Sequence, residues 1–203
     1  MMKLHGFPMS PNARRAQITL EEVGAPYEYV TVDLMQGAQR SEGYLGLNPN
    51  ARIPTLVDGD LVVWESHAIC QYLAAKYPDK HLDAENPVER AQISQWLFIN
   101  AAHFGPSAAG IFANTIRLPE DQRIPRIVEN GRAEVTKVLG IMDRTLAKAE
   151  HLAAGRFTLV EISFAPSLAF LPMLGFDLSK YPNVGAWFER LRARPSVKKV
   201  LEG

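Results

Sequence analysis

The spacing of apolar residues changes once along the chain, and this change limits the fold more than any other feature. The first 77 residues alternate short strand-like runs with segments of helical period, whereas almost everything after Pro87 has helical period alone. Such a switch predicts an α/β unit followed by an all-helical one. Residues 78–87 contain two prolines and several charged side chains, which is typical of a linker. We therefore predict an N-terminal domain at 1–78, a linker at 79–87 and a helical domain at 88–203.

The N-terminal segment has the order of elements expected for a thioredoxin-like domain. Its first strand, helix and strand form a βαβ crossover, which makes that strand pair parallel. Asp58-Gly59-Asp60 then separates two further strands and predicts an antiparallel hairpin, so the four-stranded sheet is mixed. The predicted strands are 3–7, 27–32, 55–57 and 61–64. The predicted helices of this domain are one that begins at Ser10-Pro11 and ends at Gly24, a short one near 44–47, and one that Ser66 caps and Pro78 ends. The helices predicted after the linker are 88–116, 120–150, 159–171, 183–192 and a short one after Pro195.

Composition excludes several classes of protein. Lysine and arginine total 22, as do aspartate and glutamate, and no long run of one charge occurs, so neither nucleic acid nor a membrane is an expected partner. The single cysteine, Cys70, excludes an internal disulfide framework and is predicted to be a buried structural thiol. The five histidines lack ligand spacing, so no metal is expected. The absence of a secretory signal at the start adds to the expectation of a cytoplasmic protein.

Ser10 and Pro11 stand where the first helix is predicted to begin. A serine there ordinarily caps the helix by accepting a hydrogen bond from a main-chain N–H, and proline at the first helical position loses nothing. The same N–H groups and the positive end of the helix dipole also stabilise an anion, to which the hydroxyl can donate. If the anion is a thiolate, each unit by which its pKa falls corresponds to about 1.4 kcal/mol. The sequence pattern is compatible with both roles for Ser10, a helix cap and a donor to a thiolate.

Two further dipeptides precede the third strand and the last helix of this domain. Ile53-Pro54 is either an ordinary turn or a cis bond that leaves the N–H and C=O of Ile53 available to an extended peptide. Glu65-Ser66 is either an acid beside a helix cap or a pair in which Ser66 binds a carboxylate and Glu65 an ammonium group. With Ser10, these sites lie at the exposed end of one small sheet. Together they complement a small peptide that carries a thiol, a carboxylate and an amine.

Four stretches of the sequence, taken in order, resemble one known family. They are GFPMSPNARR at 6–15, YLGLNPNARIPTLVDGDLVVWESHAICQYLAAKYP at 44–78, FTLVEISFAP at 157–166 and YPNVGAWFERLRARPSV at 181–197. On these motifs the chain is similar, from Met1 to its end, to the cytosolic glutathione transferases, and most of all to the phi class and its bacterial relatives. The resemblance implies glutathione as co-substrate and a homodimer.

The resemblance also implies roles for individual residues. Ser10 corresponds to the serine whose hydroxyl stabilises the glutathione thiolate. Ile53 corresponds to the residue that pairs through its main chain with the tripeptide beside a cis Pro54. Glu65 and Ser66 correspond to the pair that binds the γ-glutamyl end.

Some positions depart from the usual pattern of the family. Gln39 and Arg40 fall where a His-Lys pair binds the glycine carboxylate, and Arg52 falls where glutamine or lysine is usual. Asn12 belongs to a Ser-Pro-Asn run that also resembles the disulfide-reducing bacterial branch, in which an asparagine near the thiol is part of the site. Asn12 can therefore share or replace the role of Ser10.

The segment 158–161, Thr-Leu-Val-Glu, has Glu where the family has Asp, and still predicts a capping box.

A second substrate is expected beside glutathione. By the resemblance, the first long helix of the second domain lines a cleft for a small hydrophobic electrophile or a peroxide, although aromatic residues at helical spacing also suit a core. Arg14 and Arg15 are predicted to be solvated surface charges, with Arg15 able to add positive potential near the thiolate. The candidate lining residues are Met9, Leu34, Met35, His103, Phe104 and Phe112.

The sequence therefore predicts a detoxifying transferase that ionises the thiol of glutathione for attack on an electrophilic carbon or a peroxide oxygen. Two alternatives stay open: a glutathione-dependent disulfide reductase or peroxidase of the same fold, and a non-catalytic binding or interaction module. Retention of Ser10, Ile53-Pro54 and Glu65-Ser66 argues against the module. Serine at position 10 disfavours the cysteine-type relatives that form mixed disulfides.

Overall fold

The computed structural model describes residues 1–203, which form two compact units. The first unit contains Met1–Asp83 together with Pro195–Gly203, and the second contains Ala84–Arg194. In chain order the elements are β1 (Met2–Gly6), α1 (Pro11–Val23), β2 (Tyr27–Thr31), α2 (Glu42–Leu45), β3 (Thr55–Asp58), β4 (Leu61–Trp64), α3 (Ser66–Lys76), α4 (Pro87–Ile99), α5 (Gly105–Phe112), α6 (Pro125–Leu146), α7 (Leu159–Phe170), α8 (Pro182–Arg192) and α9 (Pro195–Glu202).

The four strands form one mixed sheet in the order β2-β1-β3-β4, which confirms the predicted thioredoxin-like arrangement. β1 runs parallel to β2, while β1 pairs with β3 and β3 with β4 in antiparallel fashion. His5, Thr55 and Trp64 lie in one row across three strands. The end of β1, the start of β3 and the end of β4 therefore meet at the same edge of the sheet.

Helix α1 lies close against the sheet and against α3, and Gly6 is one reason. A Cβ added at Gly6 would stand 2.7 Å from Tyr29 Oη and 2.9 Å from Ala13 Cβ, closer than real Cβ atoms come. A side chain at position 6 would therefore force Tyr29 or helix α1 to shift. The apolar residues of α1 and α3 that are buried in this unit are Ala13, Ala16, Ile18, Leu20, Val23, Ile69, Cys70, Leu73 and Ala74.

The C-terminal helix differs from the predicted domain division. Helix α9 belongs to the first unit, whereas the sequence placed everything from 88 to 203 in the helical domain. Val197 and Val200 are buried, Lys199 Nζ lies 2.7 Å from Glu21 Oε2, and the Ser196 hydroxyl bonds Glu22. The two acidic residues belong to the last two turns of α1, so α9 adds a cationic and apolar partner to that helix. A prediction that divides the chain into consecutive segments cannot assign a C-terminal helix to the N-terminal unit.

The second unit is a helical domain around an aromatic core. The ring of Phe164 meets those of Trp96 and Phe104 edge to face, with centroids 6.2 and 5.6 Å apart. The predicted helix 88–116 consists of α4 and α5, joined and followed by π-helical turns at Asn100–Phe104 and Ala113–Arg117. None of the helices combines the length and apolarity needed to cross a membrane.

The predicted capping box at the start of α7 is confirmed. Thr158 N donates to Glu161 Oε2 at 2.8 Å, and Val160 N donates to Thr158 Oγ1 at 3.2 Å. Glu161 is fully buried, and its Oε1 lies 3.3 Å from His151 Nδ1. The carboxylate is thus satisfied by the helix it opens, which identifies it as a folding element of this unit.

Candidate functional site

The three dipeptides singled out in the sequence lie at one edge of the sheet. Ser10 follows the end of β1 by four residues, and Ile53 precedes the start of β3 by two. Glu65 comes directly after β4. Because the ends of these strands share a row, the loops that carry the predicted site residues emerge side by side.

Ser10 caps α1 by a long hydrogen bond. Ser10 Oγ accepts from Ala13 N at 3.4 Å, and the residue has extended backbone dihedrals suited to a cap. Pro11 has no N–H to donate. The N–H of Asn12 and the hydroxyl hydrogen of Ser10 have no acceptor within the chain. These two donors stand at the positive end of the α1 dipole and are available to an anion.

Arg15 is buried, which contradicts the prediction that it is a solvated surface charge. Its relative exposure is 2%, and its Nη1 donates to Asn12 Oδ1 at 2.9 Å and to Ser66 Oγ at 2.7 Å. Burial lowers the pKa of the guanidinium to about 10, so it stays cationic at neutral pH. Helix α1 packs against both the sheet and α3, so its buried face is wide enough to include this position. Arg14 is half-buried, and its Nε donates to Pro8 O at 2.7 Å.

The peptide bond between Ile53 and Pro54 is cis, as the sharper of the two interpretations predicted. Neither the N–H nor the C=O of Ile53 makes a hydrogen bond within the chain. The C=O of Arg52, in contrast, accepts from Tyr44 Oη at 2.7 Å and from Asn48 Nδ2 at 2.8 Å. The loop is therefore held just before Ile53, whose own main-chain groups stay available to an extended ligand.

Sequence reasoning missed the two residues that hold this loop. Tyr44 and Asn48 are buried, and the hydroxyl of Tyr44 lies 2.9 Å from Thr55 Oγ1 at the start of β3. Asn48 Oδ1 also accepts from Asn50 N at 3.0 Å, which forms a tight turn. The Asn-Pro-Asn run was the available signal, since asparagine side chains commonly organise turns in this way.

Ser66 does not cap α3, contrary to the prediction. It is the first residue of the helix, and Glu65 occupies the cap position with φ of +70° and no side-chain cap bond. A non-glycine residue in this region costs about 1–3 kcal/mol, and such conformations concentrate at functional sites. The carboxylate of Glu65 is exposed and makes no hydrogen bond within the chain. The pair thus offers an open carboxylate and, beside it, a buried hydroxyl bonded to Arg15.

The loop after β2 carries the residues predicted near the glycine end and part of the acceptor site. Gln39 lies in a short 3-10 turn, and its Oε1 is buried without a hydrogen-bond partner. Turning this amide over would present Nε2, the donor that a carboxylate requires. Arg40 and Arg52 are exposed. Of the predicted lining residues in the first unit, Met9 and Met35 are exposed and Leu34 is partly exposed.

The lining residues predicted in the helical unit have different environments. His103 is exposed, with Nδ1 3.6 Å from Glu134 Oε1. Phe112 is partly exposed, with its ring 5.3 Å from that of Phe170. Phe104 is fully buried against Phe164, so it belongs to the core and presents no surface to a ligand. That part of the prediction is corrected, because the edge-to-face contact with Phe164 places the Phe104 ring in the core.

The titratable groups near Arg15 carry no charge at neutral pH. Cys70 is buried, as predicted, with Thr19 Oγ1 donating to its Sγ at 3.0 Å, and burial raises the pKa of the thiol to about 11. Burial, with a contribution from the charge of Arg15, lowers the pKa of His67 to about 2. Both groups are neutral at neutral pH, which leaves Arg15 as the fixed charge there. No group of three His, Cys, Asp or Glu side chains is placed to hold a metal ion.

Comparison with known proteins identifies the family. Residues 1–75 match the "Glutathione S-transferase, N-terminal domain", and residues 113–195 match the "Glutathione S-transferase, C-terminal domain". The chain is 36% identical over 207 residues to glutathione S-transferase 3 of Zea mays, covering 98% of this chain and 93% of the maize protein. It is 31% identical over 203 residues to glutathione S-transferase GstB of Escherichia coli K12, covering 99% and 98%.

The solved structures agree with the sequence matches. The glutathione transferase URE2P6 of Phanerochaete chrysosporium, in complex with oxidized glutathione, superposes with a TM-score of 0.91 at 32% identity, covering 99% of this chain and 94% of that one. The predicted resemblance is thereby confirmed in both sequence and structure. This chain belongs to the glutathione S-transferase family.

Proposed function

We propose that this glutathione S-transferase binds glutathione at the sheet edge described above and ionises its thiol at the start of α1. One observation carries the proposal: Ser10 and Asn12 present donors without acceptors at the positive end of the helix, beside the buried cation Arg15. A bound thiolate would accept from these donors, whereas the neutral thiol would gain little. Preferential binding of the ionised form lowers the thiol pKa.

The remaining contacts with glutathione follow from the groups that the chain leaves unpaired. The N–H and C=O of Ile53 would pair with the cysteinyl residue in the manner of an added strand. Ser66 would donate to the γ-glutamyl carboxylate, and Glu65 would bind the ammonium group. At the other end, Gln39, Arg40 and Arg52 would bind the glycine carboxylate, the two arginines as exposed cations.

In the proposed reaction, the thiolate sulfur attacks an electrophilic carbon of the second substrate. A sulfur–carbon bond forms, and the leaving group departs with the electron pair of the bond that breaks. The thiol proton would pass to water when glutathione binds, since no basic side chain is hydrogen-bonded to Ser10. The protein supplies thiolate stabilisation and holds two reactants together.

The acceptor is a small hydrophobic electrophile or a peroxide, consistent with a role in detoxification. Met9 directly precedes Ser10 and exposes a flexible apolar side chain beside the proposed thiolate. Leu34 and Met35 add apolar surface on the loop after β2. On the helical unit, His103 and Phe112 stay candidates for the lining. Flexible apolar side chains of this kind tolerate many acceptor shapes.

The proposal also includes a homodimer in the cytoplasm. β4 is an edge strand of the sheet, and Leu61, Val62 and Trp64 on it are exposed. An edge strand with large apolar side chains is a favourable surface for association with a second copy. Light scattering during size-exclusion chromatography should give twice the mass of the chain, and Trp64→Lys should shift the protein toward monomer. A monomeric wild type would refute this part.

One preparation assayed three ways tests the function. Calorimetry should show glutathione binding, and 1-chloro-2,4-dinitrobenzene should be conjugated faster than in the uncatalysed reaction. Absence of glutathione binding at millimolar concentration would favour the non-catalytic module. Weak conjugation together with rapid turnover of a small disulfide or hydroperoxide would favour the reductase or peroxidase.

A further inference from the structure

Arg15 connects the two helix starts that carry the proposed glutathione site. Its Nη1 reaches Asn12 in the first turn of α1 and Ser66 at the start of α3, at 2.9 and 2.7 Å. The two bonded residues are 54 positions apart in the sequence, yet one nitrogen atom touches both. At 2% exposure, Arg15 itself has almost no surface that could contact a substrate.

The bond to Arg15 determines the direction in which the Ser66 hydroxyl donates. A guanidinium has donors only, so Ser66 Oγ must be the acceptor, and its hydrogen points away from Arg15. That hydrogen has no acceptor within the chain, although Ser66 is buried. A buried hydroxyl in this state is set to donate to a group that comes from outside, and a carboxylate accepts most strongly.

The same argument applies to Asn12. Its Oδ1 faces Arg15, so the other end of the amide, Nδ2, is turned away from the guanidinium. Nδ2 makes no hydrogen bond within the chain, and the Asn12 side chain is exposed. Without Arg15 the amide could present either end to a ligand. With Arg15 in place, the donor end is the one that stays available to a ligand.

We propose that Arg15 is a positioning residue for glutathione: its guanidinium sets Asn12 as a donor to the thiolate and Ser66 as a donor to the γ-glutamyl carboxylate. This inference rests on the proposed function of the site. Arg15 acts through the two neighbours and through its charge, and it does not contact the tripeptide. It explains why an arginine, whose planar fork fixes the directions of its hydrogen bonds, is buried at the base of the site.

Two substitutions separate the charge of Arg15 from its geometry. Arg15→Met keeps the approximate volume and removes both, whereas Arg15→Lys keeps a cation but loses the fork. The readouts are the Kd for glutathione by calorimetry, the pKa of the bound thiol by ultraviolet titration of the thiolate, and kcat and KM for conjugation. Arg156→Met is the matched control, because it removes a bond of 2.9 Å to Glu89 in the helical unit.

The two variants should differ in a defined way. Arg15→Met should raise the Kd about tenfold or more, because Asn12 and Ser66 are then no longer held as donors to the charged groups of glutathione. The same change should raise the pKa of the bound thiol. Arg15→Lys should restore much of the thiol pKa while the Kd and KM stay raised. Arg156→Met should lower Tm and leave Kd and thiol pKa at the wild-type values.

A double-mutant cycle tests whether Arg15 acts through Ser66. Ser66→Ala should weaken glutathione binding strongly in the wild type and only slightly in Arg15→Met, because the hydroxyl is then no longer held. Additive effects, or wild-type Kd and thiol pKa in a folded Arg15→Met protein, would overturn the inference. If Arg15→Met does not fold, Arg15→Lys decides, and a wild-type Kd there overturns it. Failure of the wild type to bind glutathione would instead remove the proposed function.

Discussion

Ser10→Ala distinguishes the capping role of the Ser10 hydroxyl from its proposed role as a donor to the thiolate. The hydroxyl accepts a capping hydrogen bond from Ala13 N, and in the proposed complex it donates to the thiolate. The cap bond is long, at 3.4 Å, so its loss should cost near the low end of the usual range, about 0.5 kcal/mol. For a chain of this size that corresponds to a decrease in Tm of about 1–2 °C.

The loss of the thiolate contact should be larger. A hydrogen bond to a charged group contributes about 1.5–3 kcal/mol, and 1.36 kcal/mol corresponds to about one pKa unit. Ser10→Ala should therefore raise the pKa of the bound thiol by about one to two units. At neutral pH the thiolate fraction then falls, and the conjugation rate should drop about 10- to 100-fold when ionisation limits it. The rate should recover as the pH rises through the new pKa.

The assay is the pH dependence of kcat/KM for conjugation, combined with ultraviolet titration of glutathione bound to each protein. Asn86→Ala is the control, because Asn86 caps α4 in the helical unit by accepting from Glu89 N at 3.0 Å. This control should lower Tm without moving the pH profile. A Ser10→Ala protein with a lowered Tm, full activity and an unchanged pH profile would refute the thiolate role. The hydroxyl would then be a cap alone, and Asn12 would be the next residue to test.

Three further outcomes follow from the packing and the electrostatics. Thr158→Ala should destabilise the protein by about 1 kcal/mol through loss of the capping box with Glu161, measured as a lower Tm with unchanged activity per folded molecule; an unchanged Tm would contradict it. Gly6→Ala should cost about 1–3 kcal/mol in denaturant titration, and Tyr29→Phe in that background should recover part of the loss, since the clash includes the tyrosine hydroxyl. His67 has its pKa lowered to about 2, so the unfolded chain binds an extra proton below pH 6.5. Stability should therefore fall as the pH drops below 6.5, and His67→Gln should make this fall shallower; an equal slope in both proteins would argue against it.

Local patterns predicted the parts of the fold that depend on neighbouring residues. The hairpin around Gly59, the cap at Ser10 and the capping box at Thr158 depend on residues within a few positions, and each was recoverable from the sequence. The mixed sheet followed from the order of elements and the parallel hand of a βαβ crossover. These features needed no knowledge of which distant segments meet.

The errors came from contacts between distant segments. The sequence predicts Arg15 to be a surface charge because arginine is rarely buried. Only the packing of α1 against α3 shows that Ser66 lies within hydrogen-bond distance of its guanidinium. The same contact explains why Ser66 is not the cap, since its hydroxyl is engaged with a residue 51 positions away. The sequence alone could not decide whether Phe104 lines a cleft or lies in the core, because its burial depends on Phe164 in another helix.

The return of α9 to the first unit has a consequence for biosynthesis. Residues Pro195–Glu202 leave the ribosome after the whole of α4 to α8, so the last packing partner of α1 is translated more than 170 residues after that helix ends. Until then, Glu21 and Glu22 on α1 lack their contacts with Lys199 and Ser196. The first unit therefore lacks its C-terminal helix until the helices α4 to α8 have been translated.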